Sequence, residues 1–206
     1  MLLLVLFIIL LIVILATSIA WVIHRKSTPR FAFRRAEKNP LLRPERDYWQ
    51  AQGTFNPAAI QDIDGNVHML YRAIGTEGVS RLGYASSKDG IEFENLPYPV
   101  FAMRNVKERQ PLPREWNPGL YPSGGSWSGS EDPRMVEIDG RIYVTFNVFD
   151  GWDFVRVGIT SMKSGDFFKK RFTWSEPFLI SPKKEVNKNW VLFPQKFDGK
   201  FAVLHS

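Results

Sequence analysis

The chain has 206 residues, of which 27 are Lys or Arg, 21 are Asp or Glu, and 44% are hydrophobic. Such a chain can bury a sizeable core, which excludes a disordered protein, and its length predicts one domain with a short appendage. The absence of cysteine excludes a disulfide scaffold, a thiolate zinc site and a cysteine nucleophile. The formal net charge of +6 does not by itself indicate a nucleic-acid partner, since part of it lies beside the first segment.

The first 23 residues contain no charged side chain and read MLLLVLFIILLIVILATSIAWVI. A run of this length is typical of a single helix that crosses a bilayer, and Trp21 lies where an interfacial aromatic residue is common. A secretory signal peptide has a basic start and a shorter apolar stretch, and this run has neither. We therefore expect a transmembrane helix over residues 1–23 that contacts the lipid bilayer, with an atypical uncleaved export signal as the alternative.

Basic residues follow this run instead of preceding it. They are Arg25, Lys26, Arg30, Arg34, Arg35 and Lys38. They lie in a juxtamembrane linker that we expect over residues 24–47. By the positive-inside rule they predict a single-pass membrane protein whose remaining part is cytoplasmic. Basic residues beside a membrane segment commonly contact lipid headgroups, so we expect no nucleic-acid partner.

After about residue 48 the sequence is typical of short β-strands separated by Asp-Gly turns. Such turns occur at residues 64–65, 139–140 and 198–199. The first two are 75 residues apart, and the same offset relates Arg81-Leu82-Gly83 to Arg156-Val157-Gly158. A repeating unit of this length with about four strands is typical of a propeller blade. A β-sandwich, which does not require the unit to recur, is the alternative.

A third unit begins near Phe193 and reaches only its first hairpin by Ser206. We therefore expect an all-β fold, in which residues 48–206 form about two and a half blades of an incomplete propeller. The unpaired strand edges of such an arc would be exposed. On this basis we expect the sequence to be the amino-terminal piece of a longer protein.

Two polar residues precede proline at matching points of the first two units, Asn56 before Pro57 and Asp132 before Pro133. Proline favours an extended conformation in the preceding residue. We therefore expect Asn56 and Asp132 to begin the inner strands of two blades and to face one funnel. Ordinary turn capping is the alternative explanation for an Asx residue before proline.

The second of these positions lies in an acidic segment. Glu131 and Asp132 are adjacent carboxylates, and such a pair next to a basic residue can supply one acid of perturbed pKa. A single general acid suffices where the nucleophile is external, such as phosphate or an activated water. Arg134 is more simply interpreted as a salt-bridge partner that holds the loop in place. Trp127 lies just upstream, where its ring can stack on a sugar or pack in the core.

Several basic residues lie where an oxyanion could be held. They are Arg72, Arg81, Arg171 and Lys188. The forked guanidinium group suits an anion with several acceptor oxygens. Each of these residues alone can equally be a solvated surface charge.

Five segments together resemble the β-mannoside phosphorylases of glycoside hydrolase family 130. They read TFNPAAI (54–60), LYRA (70–73), YASSKDG (84–90), GSEDPR (129–134) and NKNWVLFPQK (187–196). Their order matches the family from about Asn39 to Ser206. The resemblance implies a five-bladed propeller that performs inverting phosphorolysis of β-mannoside oligosaccharides to α-mannose 1-phosphate. It implies inorganic phosphate as co-substrate and no metal or organic cofactor.

The resemblance also implies roles for particular residues. Asp132 matches the proton donor, which acts through a hydroxyl group of the sugar. The expected substrate-binding residues are Asn56, Glu131 and Trp127. The expected phosphate-binding residues are Arg72, Arg81, Arg171 and Lys188. Three alternatives stay open: a hydrolytic β-mannosidase of the same fold, a non-catalytic carbohydrate-binding propeller, and an inactive truncated fragment.

Overall fold

The computed structural model describes residues 2–27, 34–44, 48–103, 126–150 and 155–205. The chain divides into two compact units, Met1–Glu37 and Lys38–Ser206, and each is described by itself. This division falls inside the linker that the sequence predicts over residues 24–47. Residues 28–33 and 45–47 of that linker lie outside the described residues.

The first unit contains the helix α1 (Leu2–Ser27), in which no glycine or proline interrupts the apolar run. The hydroxyl group of Thr17 donates to the carbonyl oxygens of Val13 and Ile14 at 2.9 Å, so this polar group is satisfied within the helix. Across the part of the chain that the structure describes, no helix qualifies by length and apolarity as a membrane span. The predicted transmembrane helix over residues 1–23 and its bilayer contact are therefore not supported. The predicted cytoplasmic location stays a prediction.

The second unit begins with a four-stranded antiparallel meander. Its strands are β1 (Gly53–Gln61), β2 (Val67–Ile74), β3 (Val79–Ser87) and β4 (Glu94–Asn95). Each strand pairs with the next along the chain. The β1–β2 turn contains Gly65 at φ +86°, a conformation that glycine adopts without steric cost.

A second meander repeats this arrangement. Its strands are β5 (Ser128–Ile138), β6 (Arg141–Asp150), β7 (Val155–Lys163) and β8 (Phe178–Leu179), with the short helix α2 (Ser164–Phe168) between β7 and β8. Asp139 and Gly140 form the β5–β6 turn with φ of +49° and +72°. Two positive φ values are what a tight hairpin turn requires, so the Asp-Gly signal predicted this turn correctly.

The 75-residue offset is visible in the packing of the two meanders. In the first, Gly83 lies against the ring of Tyr71, and a Cβ on this glycine would be 2.4 Å from the ring. In the second, Gly158 lies against the ring of Phe146, with a corresponding distance of 2.7 Å. Because both the glycine and the aromatic residue recur at the same offset, the predicted repeat of four-stranded units is confirmed.

The two meanders are joined where β3 and β5 run parallel for two residue pairs, Val79–Ser128 and Ser80–Gly129. Gly129 has φ +123°, and a Cβ there would be 2.1 Å from the carbonyl oxygen of Ser80. No side chain fits at this point, so glycine is required for the two strands to approach. This junction fixes Ser80 beside the start of β5.

A common core lies between the two meanders. Leu70, Leu82 and Tyr84 from the first pack with Val144 and Phe146 from the second, and all five side chains are buried. Burial of this kind stabilises a fold by about 25 cal/mol per Å² of apolar surface. The shared core therefore fixes the inner strands β1 and β5 relative to each other.

The last strands are β9 (Val191–Leu192) and β10 (Val203–Leu204), which pair as a hairpin around Asp198 and Gly199. This hairpin lies where the sequence predicts a third unit to begin. Within the described residues of Lys38–Ser206 the fold is mostly β, and α2 is the one helix. The sheets in this part of the chain are open, so a propeller stays a prediction.

Candidate active site

The site is built on two β-bulges at equivalent places in β1 and β5. The pairing of β1 with β2 skips Asn56 and Pro57, and the pairing of β5 with β6 skips Asp132 and Pro133. Asn56 and Asp132 have φ of +50° and +49°, so the expected extended conformation is wrong. Proline cannot donate to the ladder, which favours a bulge here, and Asn and Asp tolerate left-handed backbone better than most residues.

The bulges bring the two side chains into contact. The Nδ2 atom of Asn56 donates to Oδ1 of Asp132 at 2.7 Å. Asn56 is exposed, whereas Asp132 is only 9% exposed. The two side chains that the sequence predicts to converge are thus in contact, and the funnel that they were expected to face stays a prediction.

Arg72 on β2 forms the floor of the site and is 2% exposed. Its Nη1 donates to Oδ1 of Asp132 at 3.3 Å, and its Nη2 donates to Oε1 of Glu131 at 2.8 Å. Its Nε donates to the hydroxyl of Ser80 at 2.9 Å, and the guanidinium lies 4.8 Å from the ring centroid of Phe55. One buried guanidinium therefore contacts two adjacent carboxyl groups through charge-assisted hydrogen bonds.

Glu131 has no exposed surface. Its Oε1 also accepts a hydrogen bond from the hydroxyl of Ser126 at 2.6 Å, and its Oε2 lies 3.7 Å from Nζ of Lys188. The Lys188 side chain is 24% exposed, and its ammonium lies 5.4 Å from the ring centroid of Phe149. A buried carboxylate requires such partners, because an unpaired charge in the interior is very costly.

Asn147 on β6 completes the surroundings of Asp132. Its Nδ2 donates to Oδ2 of Asp132 at 3.3 Å and to Oδ1 of Asn189 at 3.1 Å. Its Oδ1 accepts the backbone N–H of Asn189 at 2.8 Å, which fixes the amide so that the NH₂ group faces the carboxylate. The sequence analysis missed both asparagines. The repeat offset is a signal for Asn147, since it lies 75 residues after Arg72.

Arg134 fastens the second bulge. Its Nη1 donates to the carbonyl oxygen of Pro133 at 3.0 Å and to that of Asp132 at 3.4 Å. The sequence predicts that Arg134 holds this loop through a salt bridge, whereas these contacts are hydrogen bonds to the main chain. The loop-holding role agrees with the structure, and the kind of contact differs.

Arg81 and Trp127 both contact Glu77. Ser80 contacts Arg72, and because successive side chains of a strand point to opposite faces, Arg81 points away from the site. Arg81 forms an ion pair with Glu77, whose carbonyl oxygen accepts the indole N–H of Trp127 at 2.7 Å. The phosphate role of Arg81 and the sugar role of Trp127 stay predictions.

Arg171 is far from the site. It is exposed and pairs with Asp166 of α2 at 2.6 Å, beside a depression of about 470 Å³ that is also lined by Arg141. Arg141 begins β6, and Asn147 lies six residues further along, which corresponds to about 20 Å of strand. The described residues thus bring Asn56, Arg72, Glu131, Asp132 and Lys188 together, and they do not bring Arg171 to them. Its phosphate role stays a prediction.

The fold and the site define a mostly β protein, built from repeated four-stranded units, whose inner strands converge on one carboxylate. Residues 32–206 match the family model described as β-1,4-mannooligosaccharide phosphorylase. Since this match covers most of the chain, the chain belongs to glycoside hydrolase family 130.

Two curated relatives come from Thermoanaerobacter sp. (strain X514). The chain is 34% identical over 183 residues to a 1,2-β-oligomannan phosphorylase, a match that covers 84% of this chain and 52% of the relative. It is 31% identical over 190 residues to a β-1,2-mannobiose phosphorylase, covering 85% of this chain and 54% of the relative. The chain therefore spans about half the length of the curated relatives it matches.

Solved structures show the same likeness. One of them is described as part of the finding that the family contains glycoside hydrolases that target β-1,2-mannosidic linkages in Candida mannan. Its TM-score is 0.60 and its sequence identity is 26%, and the match covers 86% of this chain and 55% of that chain. The β-1,2-mannobiose phosphorylase of Listeria innocua has a TM-score of 0.53 and 18% identity, covering 83% of this chain and 57% of that chain. At this lower identity the likeness concerns the fold alone.

Proposed function

We propose that this chain carries the proton-donating part of a β-mannoside phosphorylase, with Asp132 as the general acid. In this reaction an oxygen of inorganic phosphate attacks the anomeric carbon of mannose. The glycosidic bond breaks, and the departing oxygen receives a proton that originates on Asp132. The products are α-mannose 1-phosphate and the remaining sugar. The proposal rests on one observation: the side chains of Asn56, Arg72 and Asn147 all donate hydrogen bonds to the carboxylate of Asp132.

The surroundings of Asp132 fix the orientation of its carboxyl group. Both carboxylate oxygens are held, Oδ1 by Asn56 and Arg72 and Oδ2 by Asn147, so the orientation of the group is fixed. Asp132 nonetheless keeps some exposed surface, 9% of the residue, through which a proton can pass to a sugar hydroxyl. A positioned general acid contributes about 10²–10⁴-fold to such reactions. We assign the exposed Asn56 to a hydroxyl group of the mannose.

Lys188 is the residue that we assign to the attacking phosphate. Its ammonium lies beside Glu131 on one side, and the side chain is 24% exposed on the other. A lysine at the rim can therefore bind an anion without leaving its buried partner. Inorganic phosphate is the co-substrate in this proposal, which includes no metal or organic cofactor.

The names of the relatives guide the choice of linkage. Both curated relatives carry names that refer to β-1,2-linked mannosides, whereas the family description refers to β-1,4 linkages. We propose a β-1,2-linked mannoside as the preferred substrate, and β-1,4-mannobiose is the comparison.

Hydrolysis is the second candidate, and one observation favours it. Within the described residues, Arg81 and Arg171 are not brought to Asp132, although the sequence assigns both to phosphate. A site with fewer cations holds phosphate less tightly, and water then replaces it as the nucleophile.

The experiment incubates the 206-residue chain with β-1,2-mannobiose or β-1,4-mannobiose, with and without inorganic phosphate. We expect mannose 1-phosphate to form only when phosphate is present, and Asp132→Asn to abolish turnover. Glu137→Gln is the matched control, since Glu137 lies on the same strand, is exposed and undergoes the same change of charge. Its rate is expected to equal that of the unchanged chain.

Three results would contradict the proposal in different ways. Mannose release without phosphate dependence indicates a hydrolase. Sugar binding without turnover indicates a carbohydrate-binding module. Turnover that persists in Asp132→Asn shows that another group is the acid.

A further inference from the structure

We propose that Glu131 is a positioning residue for this reaction: its buried carboxylate is a shared counter-ion that holds Arg72 and Lys188 and keeps Asp132 able to carry a proton. This inference rests on the role of Asp132 proposed above. It replaces the expectation from the sequence that Glu131 contacts the sugar.

Burial argues against a direct contact with substrate. Glu131 is 0% exposed, and both carboxylate oxygens face protein groups. Oε1 accepts from Arg72 and Ser126 at 2.8 and 2.6 Å, and Oε2 lies 3.7 Å from the ammonium of Lys188. A sugar hydroxyl has no path to either oxygen in this arrangement.

The bulge explains how two adjacent carboxylates serve one guanidinium. In a regular strand, Glu131 and Asp132 would point to opposite faces of the sheet. The left-handed backbone of Asp132, at φ +49°, turns its side chain so that both residues contact Arg72. Arg72 thus contacts both Asp132, the proposed acid, and Glu131, which does not itself transfer a proton.

The charges that face the pair come from several elements. Arg72 projects from β2, Lys188 from the loop before β9, and Arg134 donates to the main-chain carbonyl of Asp132. The facing side chains from β1 and β6 are the neutral amides of Asn56 and Asn147. Arg72 is therefore the cation that contacts the carboxyl group of Asp132, and Glu131 shares that cation while Lys188 lies on its other side.

This balance decides whether Asp132 can hold a proton. Without the negative charge of Glu131, the guanidinium of Arg72 would act on Asp132 alone and favour its ionised form, which cannot act as an acid. With Glu131 present, the guanidinium of Arg72 is shared between two carboxyl groups, so that it favours the ionised form of Asp132 less. A glutamine at position 131 keeps the shape and the acceptor oxygen but removes the charge.

The test compares Glu131→Gln with the unchanged chain over a range of pH, at saturating phosphate and β-1,2-mannobiose. We expect the alkaline limb of the kcat profile to move down by about one pH unit, the lower end of the range for a neighbouring charge. Above that limb kcat then falls about tenfold, and lowering the pH restores it. The KM for the sugar is expected to change little. Glu137→Gln is the control and is expected to leave the profile unchanged.

Other roles for Glu131 give other results. A sugar contact would raise the KM for the sugar and leave the profile in place. A merely structural role would lower kcat equally at every pH. Either result overturns the inference, as does a profile that does not move.

Two further variants test the inference if Glu131→Gln does not fold. Glu131→Asp keeps the charge and is expected to keep the alkaline limb at its original position. Lys188→Met removes a cation from the partly exposed rim, so the limb is expected to move to higher pH. Movement of the limb in the opposite direction would contradict the charge balance.

A measurement without turnover separates this inference from the proposed function. The carboxyl signal of Asp132 is followed by ¹³C NMR in protein labelled at aspartate and assigned with Asp132→Asn. We expect its titration to move to lower pH in Glu131→Gln even if the chain has no phosphorolytic activity. A chain without activity but with this shift contradicts only the proposed function, whereas an unchanged titration contradicts the inference.

Discussion

The junction between β3 and β5 gives the most direct test of how the site is held. Replacing Gly129 by alanine places a Cβ 2.1 Å from the carbonyl oxygen and 2.7 Å from the nitrogen of Ser80. Both neighbours are backbone atoms, so no flexible side chain can move aside. Ser80 also accepts the hydrogen bond from Nε of Arg72. The substitution should therefore destabilise the fold and displace the guanidinium of the site.

The magnitude follows from two separate costs. A backbone at φ +123° is strained for any residue with a Cβ, at about 1–3 kcal/mol. The clash with Ser80 adds about 1–3 kcal/mol of overpacking. The free energy of unfolding should therefore fall by about 2–6 kcal/mol. For a chain of this size each kcal/mol lowers Tm by about 2–4 °C, so a fall of roughly 12 °C is expected.

Two other glycines provide matched controls. Gly140 has φ +72°, but nothing lies within 4 Å of a Cβ built there. In its alanine variant the free energy of unfolding should therefore fall only by the about 1–2 kcal/mol that a positive φ costs a residue with a Cβ. Gly165 in α2 has neither a positive φ nor a neighbour, so alanine there should leave Tm unchanged or raise it slightly. Thermal unfolding is followed by circular dichroism. Equal losses in Gly129→Ala and Gly140→Ala would refute the close approach of β3 to β5.

Two further predictions concern acid stability and phosphate. Hydrogen bonds from Asn66 and then His68 lower the pKa of Asp62 to about 2, so its stabilisation is present above about pH 4 and is lost as the pH falls through 2. In Asp62→Asn the loss of stability between pH 4 and 2 should therefore be smaller than in the unchanged chain, and acid unfolding with an identical pH dependence would contradict this. Lys188→Ala should raise the KM for phosphate far more than the KM for the sugar, whereas equal increases would count against the assignment of Lys188 to phosphate.

The repeat was predictable because its signals are local. An Asp-Gly pair specifies a hairpin turn by itself, and the recurrence of Asp139-Gly140 after 75 residues needs no knowledge of the fold. Asn56 and Asp132 were found for the same reason, since each precedes a proline. Their left-handed backbone was not predicted, because a bulge depends on the neighbouring strand with which each pairs.

The cations were harder to place, because the face of a strand changes with every residue. Arg81 follows Ser80 in the chain, yet only Ser80 faces Arg72, and a shift by one residue reverses this. Arg171 depends on a loop and a short helix whose path the sequence pattern does not specify. Lys188 reaches the site from the loop before β9, beside the Asn189 that the sequence analysis missed.

The equivalence of Arg72 and Asn147 has a consequence for how such a protein can change. The aromatic–glycine contacts that support each meander are shared by both copies, whereas the neighbouring position carries a cation in one copy and an amide in the other. The positions that support the fold of each meander are thus different from the position that contacts Asp132. An exchange of the two polar side chains would leave the aromatic–glycine contacts in place but would remove from the buried Glu131 the guanidinium that pairs with it.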